Sequence, residues 1–192
     1  MISEALYRKI RQFAVLEMTK TKDPQHDSSH IERVKNNALQ IIKILGLEKE
    51  IDINLLKVIC LLHDFTYTVK KPSLYTYFFE GHLERKVIQK VLSEFAISPR
   101  MRETIVNAVY RHTHSFPFRR LNKNRGIYTK VLQDADTLDL FTRMRVKTFN
   151  DSHAEGVFKS LMGKFSYCLV KYGRKHLAKF LNYPSIAKSY YV

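Results

Sequence analysis

The chain has 192 residues, of which 45% are hydrophobic and 27% are charged, and these are ordinary proportions for one globular domain. Its 33 Lys and Arg residues against 18 Asp and Glu residues give a formal net charge of +15. The composition excludes a disordered chain, a collagen and a small disulfide scaffold, and no apolar run approaches the roughly 18 residues that a membrane helix needs.

Helical periodicity dominates the first part of the chain. Ser3 caps a predicted first helix that ends at about Met18, and a polar loop follows it. A second helix is predicted at about 28–45, where Gly46 stops it, and Asp52 opens a third helix. Each of these helices carries one apolar face.

The second part of the chain is also predicted to be helical. Residues 65–79 are expected to form a long aromatic and basic connection before a fourth helix at about 81–95. Ser-Pro at 98–99 opens a fifth helix, a sixth is predicted at about 127–142, and one or two more follow. Because Gly and Pro are few and apolar–polar alternation is absent, the sequence predicts an all-α, single-domain helical bundle over 1–192.

The apolar stripes of the second and third helices lead to ionisable residues. In the second helix, steps of three and four residues back from Val34 reach His30 and then His26. In the third helix the apolar stripe continues onto His63, and Asp64 comes next. These side chains are therefore directed toward the side on which the helices pack.

The fifth and sixth helices show the same pattern. The stripe of the fifth reaches His112, and the apolar face of the sixth carries Asp136 and Asp139. Burying Asp64 and Asp136 without partners would be costly, so they must pair or bind a metal. Imidazole and carboxylate together suit a divalent ion such as Mn, Fe, Zn, Ni or Co. A buried network of His–Asp hydrogen bonds is the alternative.

Four segments, in this order, resemble the HD-domain metal-dependent phosphohydrolases: HDSSHIERV at 26–34, LLHDF at 61–65, RHTHSF at 111–116 and LQDADTLD at 132–139. Their spelling is similar to that of the small bacterial HD-domain nucleotide pyrophosphohydrolases. The resemblance implies a motif-bearing core at about 24–142 and C-terminal helices at about 143–192. It also implies hydrolysis of a phosphoester or phosphoanhydride bond in a nucleotide or related small phosphate.

The resemblance makes His30, His63, Asp64 and Asp136 the ligands of one divalent metal ion. The sequence does not distinguish Mn, Mg, Ni, Co, Fe and Zn, and a second ion is an alternative. An ion held there would lower the pKa of a bound water, which would then attack phosphorus.

The resemblance also implies catalytic residues around this ion. His26 and Asp27 would contact the scissile phosphate and orient the water, alongside Asp64, although Asp27 is also a candidate cap of the second helix. His112 or His114 would face the substrate phosphates or a second ion. The stripe of the fifth helix favours His112, and the family spelling favours His114.

Four basic residues near these motifs are candidates for binding the substrate phosphates, and solvated side chains are the alternative for each: Arg33, Lys70, Lys71 and Arg111. Tyr67 is a candidate for stacking on a base or a sugar. Asp139 is expected to hold a ligand imidazole or to pair with an Arg. His82 resembles the additional His of two-metal family members, but it lies off the predicted apolar stripe of Leu83, Val87, Val91 and Phe95.

A catalytically silent HD-fold nucleotide sensor, or a basic nucleic-acid-binding module, is the alternative function. The dispersed positive charge fits a solvated surface or an anionic small molecule better than a nucleic acid. Cys60 and Cys168 lie in apolar stretches, which predicts two buried free thiols in a reducing compartment. Because the N-terminus is too charged for a signal peptide, we expect a cytoplasmic protein with no membrane contact. The sequence predicts no oligomeric state.

Overall fold

The computed structural model describes residues 1–21, 23, 25–71, 73–113, 121–142, 145, 168 and 170–190. Regular structure in these ranges is helical and includes no strand, which confirms the all-α prediction. The α-helices are α1 (Glu4–Met18), α2 (Ser28–Leu45), α3 (Ile53–Leu62), α4 (Thr66–Val69), α5 (Leu74–Ser93), α6 (Pro99–His112) and α7 (Ile127–Leu140). No described helix has the length and apolar character needed to cross a membrane.

Polar caps fix the ends of the first three helices, as predicted. The side chains of Ser3, Asp27 and Asp52 each accept a hydrogen bond from the backbone N–H three residues on, at 3.2, 2.8 and 3.1 Å. Gly46 ends α2 with a φ of 67°, in the left-handed region that favours glycine. The Asp27 cap fixes the start of α2, where two of the candidate site residues lie.

The predicted connection at 65–79 is wrong, because most of it is helical. α4 occupies part of it, and α5 begins at Leu74 rather than at about residue 81. Ser73 and Thr76 start α5 by exchanging hydrogen bonds between their side chains and backbone N–H groups, at 3.1 and 2.6 Å. Thr replaces the usual Glu or Gln in this capping box, so the usual sequence signature is absent.

α2 packs between α3 and α7, and α6 packs against both α5 and α7. The packing face of α2 is fully buried, and its members are Ile31, Val34, Ala38 and Ile41. Each Ile or Val side chain of this face contributes about 1.5–3 kcal/mol relative to leaving it in water. This packing brings the start of α2, the end of α3, the end of α6 and the middle of α7 together.

Residues after α7 fold back onto it. The turns Leu177–Phe180 and Pro184–Ser189 are 3₁₀ helices rather than α-helices. The backbone N–H groups of Asn182 and Tyr183 donate to the Asp134 carboxylate of α7, at 2.7 and 2.9 Å. The C-terminal residues are thereby attached to the helix that carries Asp136.

The two cysteines differ in their surroundings. Cys60 is buried in α3, as predicted, but Cys168 is exposed. The prediction for Cys168 is wrong because this residue lies one helical turn before Tyr172, whose side chain is also exposed. The two thiols are free.

Candidate metal centre

Imidazole and carboxylate groups from three parts of the chain converge in the interior. His30 is the third residue of α2, and His63 directly follows α3; both are fully buried. Their Nε2 atoms lie 2.9 and 3.1 Å from Asp64 Oδ2 and 3.2 Å from each other. Asp136 Oδ1, on α7, lies 3.6 and 4.0 Å from the same two Nε2 atoms. The four predicted metal ligands are therefore neighbours.

The hydrogen bond made by Nδ1 of each imidazole determines whether Nε2 carries a proton or a free lone pair. His30 Nδ1 is 2.7 Å from Asp139 Oδ2, and His63 Nδ1 is 2.8 Å from the carbonyl oxygen of Cys60. Because both partners accept hydrogen bonds, we assign the proton to Nδ1 in each ring, which leaves a lone pair on Nε2. Two lone pairs and a carboxylate oxygen repel one another at these distances unless a cation lies among them. The donor set fits a divalent ion.

The electrostatics of the cluster also favour a positive charge. Burial opposes protonation of His63, yet the Asp64 carboxylate raises the pKa of that imidazole to about 9. Burial likewise opposes ionisation of Asp64, but His63 and the other imidazoles hold its pKa well below the usual range. In the metal-free protein a proton supplies this positive charge, and a metal ion would displace it.

His112 lies on the other side of the Asp64 carboxylate. It is buried at the end of α6, and its Nδ1 donates to the carbonyl oxygen of Val109 at 2.6 Å. Its Nε2 lies 3.7 Å from Asp64 Oδ1. His112, which the helical stripe favoured, is therefore at the cluster, whereas His114 lies outside the described residues.

His26 lies against the cluster just before α2. Its Nδ1 donates to Asp23 Oδ2 at 2.7 Å, and its Nε2 is 3.7 Å from Asp64 Oδ2. Burial lowers the pKa of this imidazole, but Asp64 and Asp23 together raise it above its usual value. The ring stacks on Tyr67 with centroids 4.1 Å apart and an interplanar angle of 7°.

Tyr67 is not available to a base or a sugar, so that prediction is wrong. Its side chain is fully buried, because one face covers His26 and its hydroxyl donates to Glu80 Oε1 at 2.7 Å. Donor atoms of His26, Asp64 and Glu80 also lie within 4.8 Å of one another. This second set shares Asp64 with the first.

Asp139 makes both of the contacts expected of it. Its carboxylate accepts from His30 Nδ1 at 2.7 Å and from Arg33 Nε at 2.6 Å. Although burial opposes ionisation, these two donors hold the pKa of Asp139 below its usual range. Arg33, which was a candidate for binding substrate, also donates to Ser29 Oγ at 2.7 Å. In the structure it therefore binds Asp139 and Ser29.

The remaining candidates lie around or outside the cluster. Asp27 caps α2 and also accepts a hydrogen bond from the Ser29 hydroxyl at 2.8 Å. Lys70 and Lys71 are exposed after the end of α4. The Arg111 guanidinium lies over the Tyr110 ring, 5.6 Å from its centroid. His82 is exposed on α5, and its Nε2 is 3.5 Å from the hydroxyl of Tyr110.

The acidic residues of α5 did not emerge from the sequence. Glu84 is fully buried; its Oε1 accepts from the backbone N–H of Thr66 at 2.7 Å, and its Oε2 has no hydrogen-bond partner in the described chain. The predicted stripe of α5 was wrong by one position, since Glu84, Ile88 and Leu92 are fully buried among the side chains of α5 that the structure describes. Four residues before Glu84 is Glu80, so the correct register would have led to both carboxyl groups.

Arg145 was also missed. Its side chain is buried, with Nη2 3.5 Å from His26 Nε2 and Nε 3.7 Å from Asp139 Oδ2. α7 ends at Leu140, so no continuous helical period connects Arg145 to the aspartates. No sequence signal of the kind used for the histidines could have identified it.

Comparisons with known proteins identify the family and the fold of this chain. The family model described as HD domain matches residues 28–140, a range that contains His30, His63, Asp64 and Asp136. A crystal structure of a predicted HD superfamily hydrolase from an uncultured Thermotogales bacterium has 20% sequence identity and a TM-score of 0.56. The match covers 90% of this chain and 91% of that one; at this identity it shows a shared fold. No curated protein matches this sequence.

Proposed function

Because this chain belongs to the HD domain family, we propose that it is a metal-dependent phosphohydrolase. Its substrate would be a nucleotide or related small phosphate, cleaved at a phosphoester or phosphoanhydride bond. One observation carries the proposal: His30 Nε2, His63 Nε2 and Asp64 Oδ2 lie within 3.2 Å of one another, and an acceptor holds the Nδ1 atom of each ring. These residues and Asp136 would hold a divalent ion, which supplies an activated water and stabilises charge on the phosphoryl group.

The residues behind these ligands fix their orientation. Asp139 and the carbonyl oxygen of Cys60 hold the Nδ1 protons of His30 and His63, so that both Nε2 atoms remain available. Such outer contacts commonly change metal affinity or activity by about 10- to 100-fold when they are removed. The network of buried aspartates therefore supports a metal centre rather than packing alone.

His26 is the candidate general base in this proposal. Asp23 accepts its Nδ1 proton, which fixes the tautomer and would stabilise the imidazolium that forms when Nε2 takes a proton from water. Its Nε2 faces Asp64 at 3.7 Å. His112 Nε2 faces the other oxygen of Asp64 at 3.7 Å and could contact the substrate phosphates.

A substrate screen with matched variants tests the proposal. The purified protein would be assayed for bound metal and for hydrolysis of nucleoside tri-, di- and monophosphates with Mn²⁺, Mg²⁺, Ni²⁺ and Co²⁺. Phosphate and pyrophosphate would be measured separately. The His63→Ala/Asp64→Ala double variant should lose the metal, and its activity should fall by a factor of at least about 10³.

His82→Ala is the control, because His82 is exposed and lies outside the cluster. This variant should keep both metal and activity. Activity that survives the double substitution would contradict the proposal. Binding of metal and nucleotide by the unchanged protein, with no turnover under any condition, would instead favour the sensor alternative.

A further inference from the structure

A buried guanidinium with unpartnered nitrogens lies beside the candidate metal centre. Arg145 is 6% exposed, and its Nε and Nη1 atoms are buried with no hydrogen-bond partner in the part of the chain that the structure describes. A guanidinium is permanently charged and has five N–H donors. Its burial without acceptors is costly, so the structure leaves an unexplained donor group at this position.

The nearest carboxylate does not satisfy Arg145. Asp139 already accepts hydrogen bonds from His30 Nδ1 at 2.7 Å and from Arg33 Nε and Nη2 at 2.6 and 3.3 Å. Arg145 Nε is 3.7 Å from Asp139 Oδ2, which is too long for a hydrogen bond. Two guanidinium groups thus share one carboxylate, and Arg33 occupies its hydrogen-bonding positions.

The nearest imidazole indicates which kind of ligand belongs there. His26 Nδ1 donates to Asp23, so its Nε2 is the acceptor that faces Arg145 Nη2 at 3.5 Å. A second cation bound at His26 Nε2 would lie against this guanidinium and be repelled by it. His26 Nε2 thus lies near both the Asp64 carboxylate and the Arg145 guanidinium, and the unpartnered donors of Arg145 match an anion rather than a metal.

We propose that Arg145 binds the phosphoryl oxygens of the substrate at the His26 side of the metal centre. This inference rests on the proposed function, since it assigns the phosphate group of that substrate to a specific residue. His26 Nε2 lies 3.5 Å from Arg145 Nη2 and 3.7 Å from Asp64 Oδ2, so the guanidinium and the centre share this imidazole as a neighbour. A phosphate bound on the His26 side of the metal centre would lie within reach of the guanidinium, which can donate two parallel hydrogen bonds to such a group.

Binding of inorganic phosphate to the metal-loaded protein tests this proposal without any need for turnover. The dissociation constant would be measured by titration calorimetry for the unchanged protein and for Arg145→Gln, with metal content measured in parallel. The substitution should weaken phosphate binding by about 10- to 100-fold, because a charge-assisted hydrogen bond is lost. Metal content should not change.

Arg102→Gln is the matched control. Arg102 also has a buried Nε with no hydrogen-bond partner, but it lies at the opposite end of α6 from His112. Its substitution should leave phosphate binding unchanged. Arg145→Lys, which keeps the charge and loses the planar donor group, should bind phosphate with intermediate affinity.

Several results would overturn the proposal. These are phosphate binding in Arg145→Gln within twofold of the unchanged protein, or no phosphate binding by the unchanged protein. If Arg145→Gln does not fold, the affinity of Arg145→Lys for phosphate tests the proposal instead. If neither variant folds, Arg145 is a structural residue and the proposal is wrong. A protein that binds phosphate through Arg145 but hydrolyses nothing would contradict the proposed function alone.

Discussion

Glu84 shows how burial determines the charge that a side chain can carry. It is fully buried, and one carboxyl oxygen has no hydrogen-bond partner in the described chain. Burial first, and then the negative charge of Asp64, raises its pKa well above the usual value. The folded state therefore favours the protonated form. The contribution of protonated Glu84 to the stability of the fold is complete below the pKa that Glu84 has in the unfolded chain. It is lost as the pH rises through the pKa that Glu84 has in the folded protein.

Glu84→Gln should remove this pH dependence. In metal-free protein, the gain in unfolding free energy from the substitution should be about 1–3 kcal/mol larger at pH 7.5 than at pH 5, because the unfolded chain ionises Glu84 at the higher pH, whereas the buried side chain resists losing its proton. Denaturant melts of both proteins at the two pH values measure this difference. Glu50→Gln, at an exposed position, should show none. Equal gains at both pH values would mean that Glu84 remains solvated.

For single residues, the sequence predicts that a polar side chain is buried at the site when the apolar stripe of a helix continues onto it. His30, His63 and His112 were found as extensions of apolar stripes, and all three are buried at the cluster. Glu84 was missed because the stripe of α5 was assigned one position away. Arg145 follows the end of α7, so no period applies to it.

The contact between α5 and α6 depends on a glycine. A Cβ atom at Gly81 would lie 2.4 Å from the carbonyl oxygen of Tyr110, which is backbone and cannot move aside cheaply. This close approach holds α5 where Glu80 and Glu84 face the cluster. Gly81 is thus needed for space rather than for an unusual backbone conformation.

Gly81→Ala should destabilise the protein. Alanine favours a helix by about 1 kcal/mol over glycine, but the forced separation of α5 from α6 should outweigh this and give a net loss of about 1–3 kcal/mol. Denaturant unfolding measures the change. Gly126→Ala is the comparison, since nothing lies within 4 Å of a Cβ there, and it should cost at most about 1 kcal/mol. A more stable Gly81→Ala protein would show that the helices are not this close.

Helix boundaries were predictable where local chemistry sets them. Ser3, Asp27 and Asp52 start helices through their own side chains, so α1, α2 and α3 were predicted at nearly their observed positions. The segment 65–79 was not, because its aromatic residues favour extended structure when considered alone. Burial of Tyr67 against His26 makes the helical arrangement favourable, and that contact is invisible in the sequence.

A divalent ion would connect α2, the end of α3 and α7, and so would stabilise the whole fold. At a free concentration 100 times its Kd, such a ligand contributes about 2.7 kcal/mol, which corresponds to a rise in Tm of about 5–10 °C. Thermal melts with added Mn²⁺ and with a chelator test this. The rise should be absent in the His63→Ala/Asp64→Ala variant and retained in His82→Ala. A Tm that is indifferent to metal and chelator would favour the buried hydrogen-bond network instead.

For the whole molecule, the order of the motifs predicted the fold, whereas the net charge predicted little about the binding partner. The four segments resemble those of the HD-domain family, and the family model matches residues 28–140, which contain the last three segments and most of the first. A charge of +15 spread along the chain is compatible with several partners. The identity of the substrate depends on the shape of the space around the His–Asp cluster, which cannot be derived from the amino-acid composition.

The link between Asp134 and the C-terminal turns has a consequence for how the protein is made. Asp134 lies two positions before Asp136 on α7, and its carboxylate receives the backbone N–H groups of Asn182 and Tyr183. During translation, α7 is synthesised some forty residues before these donors. Until then, the two backbone hydrogen bonds that attach the C-terminal residues to α7 cannot form. In the nascent chain, α7 therefore gains these C-terminal contacts only after the ribosome has passed residue 183.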